Sequence, residues 1–195
     1  MEFKIWSTNG IQGRSFRIFN WRLGSGESPA CPGSRVVVVL IGTNDLGLAA
    51  LEAGSEDPSK AVQAATAKAS KGVQEVIKTF RFLLPDSHII LLGILPRGFK
   101  DKSDPDKPVI HYNQPSIFTD PIKQINRELG AFALSQRGVH FLDCGRHFVG
   151  ADGHLVPGLM PDALHPNAAG MAKLADCVNT VLMPLLANRS IGSAA

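Results

Sequence analysis

The stretch Val36-Val37-Val38-Val39-Leu40-Ile41-Gly42 decides the fold of this chain of 195 residues. A continuous run of branched apolar side chains closed by glycine predicts a strand buried on both faces, as in a parallel sheet with helices on each side. The runs 89–95 and 139–143 predict two more strands of this kind, and Phe3–Trp6 is a short candidate for a fourth.

Helical patterns lie between these strands. Asp57-Pro58 and Asp120-Pro121 each place an acidic N-cap before a proline at the first helical position, and apolar residues then recur at helical spacing. The alternation predicts an α/β fold with a doubly wound parallel sheet and right-handed crossovers. The predicted helices cover residues 14–23, 58–84, 121–137 and 166–182, and residues 96–115 are predicted to form a surface loop.

Composition indicates one ordinary globular domain, over residues 1–190, followed by a flexible tail at 191–195. Hydrophobic residues make up 44% and charged residues 19% of the chain, whose formal charge of +3 is not gathered into a basic stripe. We therefore expect no nucleic-acid partner. No apolar run reaches the ~18 residues of a membrane span, and the N-terminus does not resemble a signal peptide. The sequence predicts a soluble, cytoplasmic protein without a transmembrane segment.

Three cysteines, Cys31, Cys144 and Cys177, lie far apart and show no C-x-x-C spacing. We expect them to be reduced, buried thiols rather than a disulfide framework or a zinc site. No set of His, Asp and Glu has metal-ligand spacing. The sequence therefore predicts neither a metal nor a cofactor.

Polar residues follow the predicted strands at the carboxyl edge of the sheet, where α/β proteins place their chemistry. Asn44, in Gly42-Thr43-Asn44-Asp45, offers an amide that could hold the oxyanion of a tetrahedral intermediate. The same four residues are also ordinary turn formers. Gly13 follows the first short strand, where a glycine lets a backbone N–H approach a ligand.

Asp162-Ala163-Leu164-His165-Pro166 precedes the last helix. Proline keeps the residue before it out of the α region, so His165 is expected on the loop. Asp162 is close enough for its carboxylate to accept from the imidazole Nδ1–H, which is the base-and-orienter pair of serine hydrolases. The alternative is an acid and a histidine that only satisfy backbone groups near a helix start.

The order of these motifs resembles the SGNH (GDSL) hydrolase family, and within it the catalytic subunits of intracellular platelet-activating-factor acetylhydrolase. The similar stretches are 9–23, 36–45, 90–98 and 162–176. The resemblance implies a three-layer, flavodoxin-like fold. It also implies that Asn44 and Gly13 are oxyanion-hole donors, His165 the base and Asp162 its orienting acid. Arg97 and Gly98 match a recurrent strand-end motif to which we assign no catalytic role.

The family's first motif, G-D-S, carries the nucleophilic serine, and none of the twelve residues before Gly13 reads G-D-S. We therefore expect an N-terminally incomplete domain that lacks the first, central strand, with Phe3–Trp6 paired directly to 36–41 as the alternative. Ser7 and Ser15 are weak substitutes because neither is predicted at a tight strand-to-helix turn.

Two functions follow from this resemblance. The first is hydrolysis of a small acyl ester or lipid ester, with the serine missing from this chain, which by itself is expected to be inactive. The alternative is an inactive SGNH-fold protein that acts by binding or subunit association, and relatives make a homodimer plausible. A flavodoxin-like nucleotide binder is disfavoured because no phosphate-binding glycine motif is present.

Overall fold

The computed structural model describes residues 5–7, 34–54, 56–101 and 109–187. The predicted helix 14–23 and the tail 191–195 lie outside these residues. The strands of the described part are β1 (Ile5–Ser7), β2 (Val36–Leu40), β3 (His88–Leu92), β4 (Phe99–Asp101), β5 (Val109–His111) and β6 (Val139–Leu142). Its α-helices are α1 (Thr43–Glu52), α2 (Pro58–Leu83), α3 (Thr119–Leu134) and α4 (Ala168–Ala187), and Gly145–Phe148 forms a 3₁₀ turn.

The main sheet has the strand order β1-β2-β3-β6, and every pair in it is parallel. Val38 of β2 lies opposite Ile90 of β3, which in turn lies opposite His140 of β6. On its other side, β2 pairs directly with β1, with Ile5 opposite Val38. The parallel α/β sheet is confirmed, and the direct pairing given as an alternative is the one observed.

Two apolar layers cover this sheet. One face of β2 and β3, which includes Val39 and Leu91, packs against α2 and α3. The opposite face, which includes Val38 and Ile90, packs against α4. Burial of each such side chain contributes about 1.5–3 kcal/mol. The run 36–41 therefore lacks polar residues because both of its faces are interior, and the three-layer architecture is confirmed.

The helix starts and the loop predicted from local sequence agree with the structure only in part. Asp57 caps α2 as predicted, since its Oδ1 accepts from the Ser59 N–H at 2.9 Å. Helix α3 begins at Thr119, slightly earlier than predicted, with Phe118 at its N-cap. Helix α1 was not predicted, because Leu46 is its only buried residue and an apolar stripe is missing. The predicted loop 96–115 contains the antiparallel strands β4 and β5.

The expectation of reduced cysteines is wrong for two of the three. Cys144, just after β6, and Cys177, in α4, form a disulfide with their Cα atoms 6.1 Å apart. Because α4 packs on the sheet beside the end of β6, the fold brings together two residues that are 33 positions apart. Cys31 lies outside the described residues.

Helix α4 has the length and apolar composition of a membrane span. In the structure its buried residues, including Leu174 and Val178, belong to the core on one face of the sheet. Core helices of soluble proteins pass the same test of composition. Among the described residues, α4 is the single helix that meets it.

Candidate active site

Asp162 and His165 form a hydrogen-bonded pair on the loop before α4. The imidazole Nδ1 lies 2.6 Å from Asp162 Oδ2, and Asp162 Oδ1 accepts from the backbone N–H of Leu164 at 3.1 Å and of His165 at 2.7 Å. An ionised carboxylate only accepts, so Nδ1 carries the hydrogen and Nε2 is the ring's free acceptor. The loop therefore holds the tautomer that a general base requires.

The ionisation of Asp162 favours this arrangement. Partial burial raises the pKa of its carboxyl, but the hydrogen bonds from His165 and Leu164 outweigh that effect and hold the pKa below its usual value. Asp162 is therefore charged at neutral pH and can stabilise an imidazolium on His165 when Nε2 takes a proton.

Asn44 lies in the first turn of α1, which begins directly after β2. The turn between them depends on Gly42, whose φ of 107° is in the left-handed region that glycine tolerates. A Cβ at this position would lie 2.9 Å from Ile94 Cδ1. The predicted turn at 42–45 is therefore one tight glycine bend that leads at once into a helix carrying Asn44 at the carboxyl edge of the sheet.

Two cavities bring the predicted residues to one edge of the molecule. Asn44 and Asp162 both line a cavity of about 750 Å³, while Thr43 and His165 line an adjoining small cavity of about 30 Å³. Asn44 and Asp162 therefore line one cavity and His165 lines the smaller one beside it, and together we call these two cavities the crevice. Gly13, the other predicted donor, lies outside the described residues.

Comparison with known proteins identifies the family of this chain. Residues 5–173 match the model of the GDSL-like Lipase/Acylhydrolase family. The chain belongs to this family. It is 26% identical over 178 residues to the rat platelet-activating factor acetylhydrolase IB subunit alpha1, covering 91% of this chain and 63% of that protein. It is 27% identical over 177 residues to the human alpha2 subunit, covering 91% and 64%.

Solved structures give the same fold. A GDSL-like lipase from Bacteroides thetaiotaomicron superimposes with a TM-score of 0.58 at 17% identity, over 88% of this chain and 72% of that one. The chain spans less than two thirds of the length of its curated relatives.

The nucleophile is the part of a GDSL site that the described residues leave open. Ser7 ends β1, and its backbone lies in register with Leu40, which lines the small cavity beside His165. Ser15 lies outside the described residues. The register thus puts the backbone of Ser7 at the carboxyl edge of the sheet, the edge at which His165 lies. Its position in the sequence did not indicate this.

Arg97 is a site residue to which sequence reasoning assigned no role. It follows β3, is 9% exposed, and donates from Nη1 to the Thr43 carbonyl at 2.8 Å and to Thr43 Oγ1 at 3.1 Å. Burial lowers the pKa of Arg97 to about 10, an effect that the Asp162 carboxylate opposes. The signal that could have found it is an arginine placed directly after a strand-ending Leu95-Pro96.

A metal site is not formed by the part of the chain that the structure describes, where no group of three or more His, Cys, Asp or Glu side chains could hold an ion.

Proposed function

We propose that the protein hydrolyses acyl esters, with His165 as general base and acid, Asp162 as its orienting group and Asn44 as an oxyanion donor. The observation that carries the proposal is the 2.6 Å contact from His165 Nδ1 to Asp162 Oδ2, which leaves Nε2 free in the crevice shared with the Asn44 turn. A carboxylate in this position holds the ring in one tautomer and supports the imidazolium by pairing with it.

The reaction requires a serine hydroxyl. Its Oγ forms a bond to the carbonyl carbon while its proton passes to Nε2, and the amide of Asn44 donates to the oxygen that becomes negative. When the tetrahedral intermediate collapses, the C–O bond to the alcohol breaks and the alcohol leaves with the proton from Nε2. Water then repeats the two steps and releases the acid.

The cavity of about 750 Å³ indicates the kind of ester. Its apolar wall is suited to a hydrocarbon chain, because such a group gains free energy in proportion to the area it buries. We propose an acyl ester or lipid ester as the substrate. The larger apolar side chains of this wall are Leu48, Leu51, Phe99, Ile117, Phe118 and Leu164.

An inactive binding protein of the same fold is the second candidate, and the observation that favours it is that residues 1–12 do not contain G-D-S. Loss of the nucleophile of a catalytic triad lowers kcat by about 10⁶. In this case the crevice binds an ester or acid without turning it over.

Hydrolysis of p-nitrophenyl acetate and p-nitrophenyl octanoate separates the two candidates. The assay compares the 195-residue chain and the longest product of its gene with their His165→Ala, Ser7→Ala and His147→Ala variants. His147 is the matched control, since it lies in the 3₁₀ turn and outside both site cavities. We expect the parent protein to hydrolyse the esters, His165→Ala to lose this activity and His147→Ala to keep it. If Ser7 is the nucleophile, Ser7→Ala loses the activity as well. If another serine serves, Ser7→Ala keeps it. Equal rates for the parent and His165→Ala would refute an ester hydrolase, and octanoate binding without turnover would support the second candidate.

Cellular location and assembly remain proposals as well. We propose a cytoplasmic protein and a homodimer, both from the family resemblance. Light scattering measures the mass of the particle. Thiol titration of freshly isolated protein tests the location, because disulfides are rare in the cytoplasm and an intact Cys144–Cys177 bond would contradict the cytoplasmic proposal.

A further inference from the structure

Arg97 and Gly98 connect the two halves of the candidate site, and we propose that they form a positioning pair that fixes the Asn44 turn relative to the Asp162–His165 loop. This inference rests on the proposed function, but it concerns geometry that exists whether or not the chain turns over an ester. Neither residue is assigned contact with the reacting atoms.

The first connection is the Arg97 side chain. Its Nη1 reaches both the carbonyl and the hydroxyl of Thr43, the residue before Asn44 and the first residue of α1. The guanidinium lies against Gly47, where an added Cβ would be 2.9 Å from Nη1 and 3.2 Å from Nη2. A glycine one turn along α1 thus leaves the space that lets a planar, forked donor hold the first turn of this helix.

The second connection is the Gly98 backbone. Its N–H donates at 2.8 Å to the carbonyl of Ala163, which lies between Asp162 and His165. A Cβ at position 98 would overlap the His111 carbonyl oxygen, so this approach requires glycine. Ala163 has a φ of 57°, a conformation that an alanine adopts only when its surroundings impose it. The contact from Gly98 is one of those that hold the loop in this shape.

Simple packing does not account for a cation at position 97. The guanidinium is buried and stacks 4.3 Å from the centroid of the Phe118 ring, while its Nε has no hydrogen-bond partner in the part of the chain that the structure describes. An unbranched apolar side chain would fill the same space without the desolvation of a charge. What that replacement would lose is the pair of donated bonds to Thr43 and the positive charge beside Asp162.

The test uses Arg97→Met, Arg97→Lys, Arg97→Ala and Gly47→Ala in the protein that gives hydrolysis, with Arg146→Met as the matched control at an exposed arginine. We expect Arg97→Met to fold and to lower kcat about 10–100-fold with KM changed less than about threefold, because misplaced groups lose orientation rather than binding. Arg97→Lys should recover little of the loss, since an ammonium lacks the forked geometry. Gly47→Ala should act in the same direction by displacing the guanidinium.

Chemical rescue and NMR keep the inference separate from the proposed function. In Arg97→Ala, we expect the Asn44 side-chain amide and the His165 Nδ1–H resonances to shift and then to return when methylguanidinium is added, but not with methylammonium. This readout needs no turnover, so an inactive chain still decides the matter. If these resonances stay in place in Arg97→Ala, or if methylammonium restores them equally, the positioning role is overturned. A parent-like kcat for Arg97→Met overturns it too.

Discussion

At each end of the sheet a histidine ring contacts a second titratable side chain, and the two ends differ in the identity of that partner. At the carboxyl edge, His165 hydrogen-bonds to the carboxylate of Asp162. At the amino edge, His88 Nδ1 lies 3.0 Å from His140 Nε2, between the starts of β3 and β6. The first partner supports a proton on the ring, whereas the second can hydrogen-bond only while one of the two imidazoles is neutral.

The groups around His88 and His140 also lower the pKa of both rings. Burial lowers the pKa of His88, and His140, Arg81 and Arg35 lower it further. Burial also lowers the pKa of His140. The two arginines have structural duties there, since Arg81 donates to the Ser87 carbonyl at 2.6 Å and Arg35 to that of Leu186 at 2.9 Å. The amino edge thus favours neutral rings that hold strands together, whereas at the carboxyl edge the ring of His165 is paired with a carboxylate.

Removing the charge of Asp162 should have the largest effect on this contrast. We expect Asp162→Asn to lower kcat for ester hydrolysis on the order of 10⁴-fold, because an amide can no longer hold His165 in the required tautomer and stabilise its cation. The measurement is the initial rate of p-nitrophenyl ester hydrolysis by the active protein. Asp152→Asn is the control, since Asp152 accepts from the backbone N–H of His154 and pairs with no side chain among the described residues. A loss of less than tenfold would contradict the assigned role.

Substitution of two asparagines at the carboxyl edge should show which one acts in catalysis and which one stabilises the fold. Asn44→Ala is expected to lower kcat about 10²–10³-fold by removing an oxyanion donor. Asn126→Ala should instead destabilise the fold by about 2–3 kcal/mol, because Asn126 is buried and its side chain pairs with both the N–H and the carbonyl of Ile94. Hydrolysis rates and urea unfolding measured on both variants check this division. If the two variants showed the opposite pattern, Asn44 would be structural.

The amino-edge pair should make stability depend on pH. Because folding depresses the pKa of both His88 and His140, the unfolded chain binds more protons than the native chain as acid is added. The contribution of the neutral pair to stability is therefore complete above the unfolded value of about 6.5. It is lost progressively as the pH falls from there toward the lower, folded pKa values.

Urea unfolding at a series of pH values measures this dependence, and His140→Phe should weaken it. His140→Asp sharpens the comparison, because it gives His88 the kind of partner that His165 has. We expect that variant to lose less stability on acidification than the parent over the range in which histidine titrates. An unchanged pH profile in both variants would show that the amino-edge pair does not govern it.

The smallest expected effect concerns the apolar wall of the large cavity. Leu51→Asn should weaken octanoate binding about fivefold, as expected for the loss of ~1 kcal/mol of apolar contact, and should leave acetate binding unchanged. Calorimetric titration measures both. Leu134→Asn is the matched control, because Leu134 is 92% exposed on α3 and lies outside this cavity. Equal effects of the two substitutions would remove Leu51 from the binding wall.

The sequence predicted the core of this molecule better than its edges. Strands such as 36–40 were predictable because burial on both faces excludes polar residues, and Asp57 and Asp162 were predictable because their partners lie two or three residues away. Arg97 was not, since its partner Thr43 is 54 positions distant and only the fold joins them. The disulfide was missed for the same reason.

That disulfide also determines how the molecule would respond to cutting. Cys144 and Cys177 enclose the whole segment that bears Asp162 and His165. A protease that cleaves once within this segment yields two pieces that remain covalently tied and separate on a gel only after reduction. The loop that bears His165 could thus be cleaved without being lost, and a mass change under reducing conditions would be the only electrophoretic sign of the cleavage.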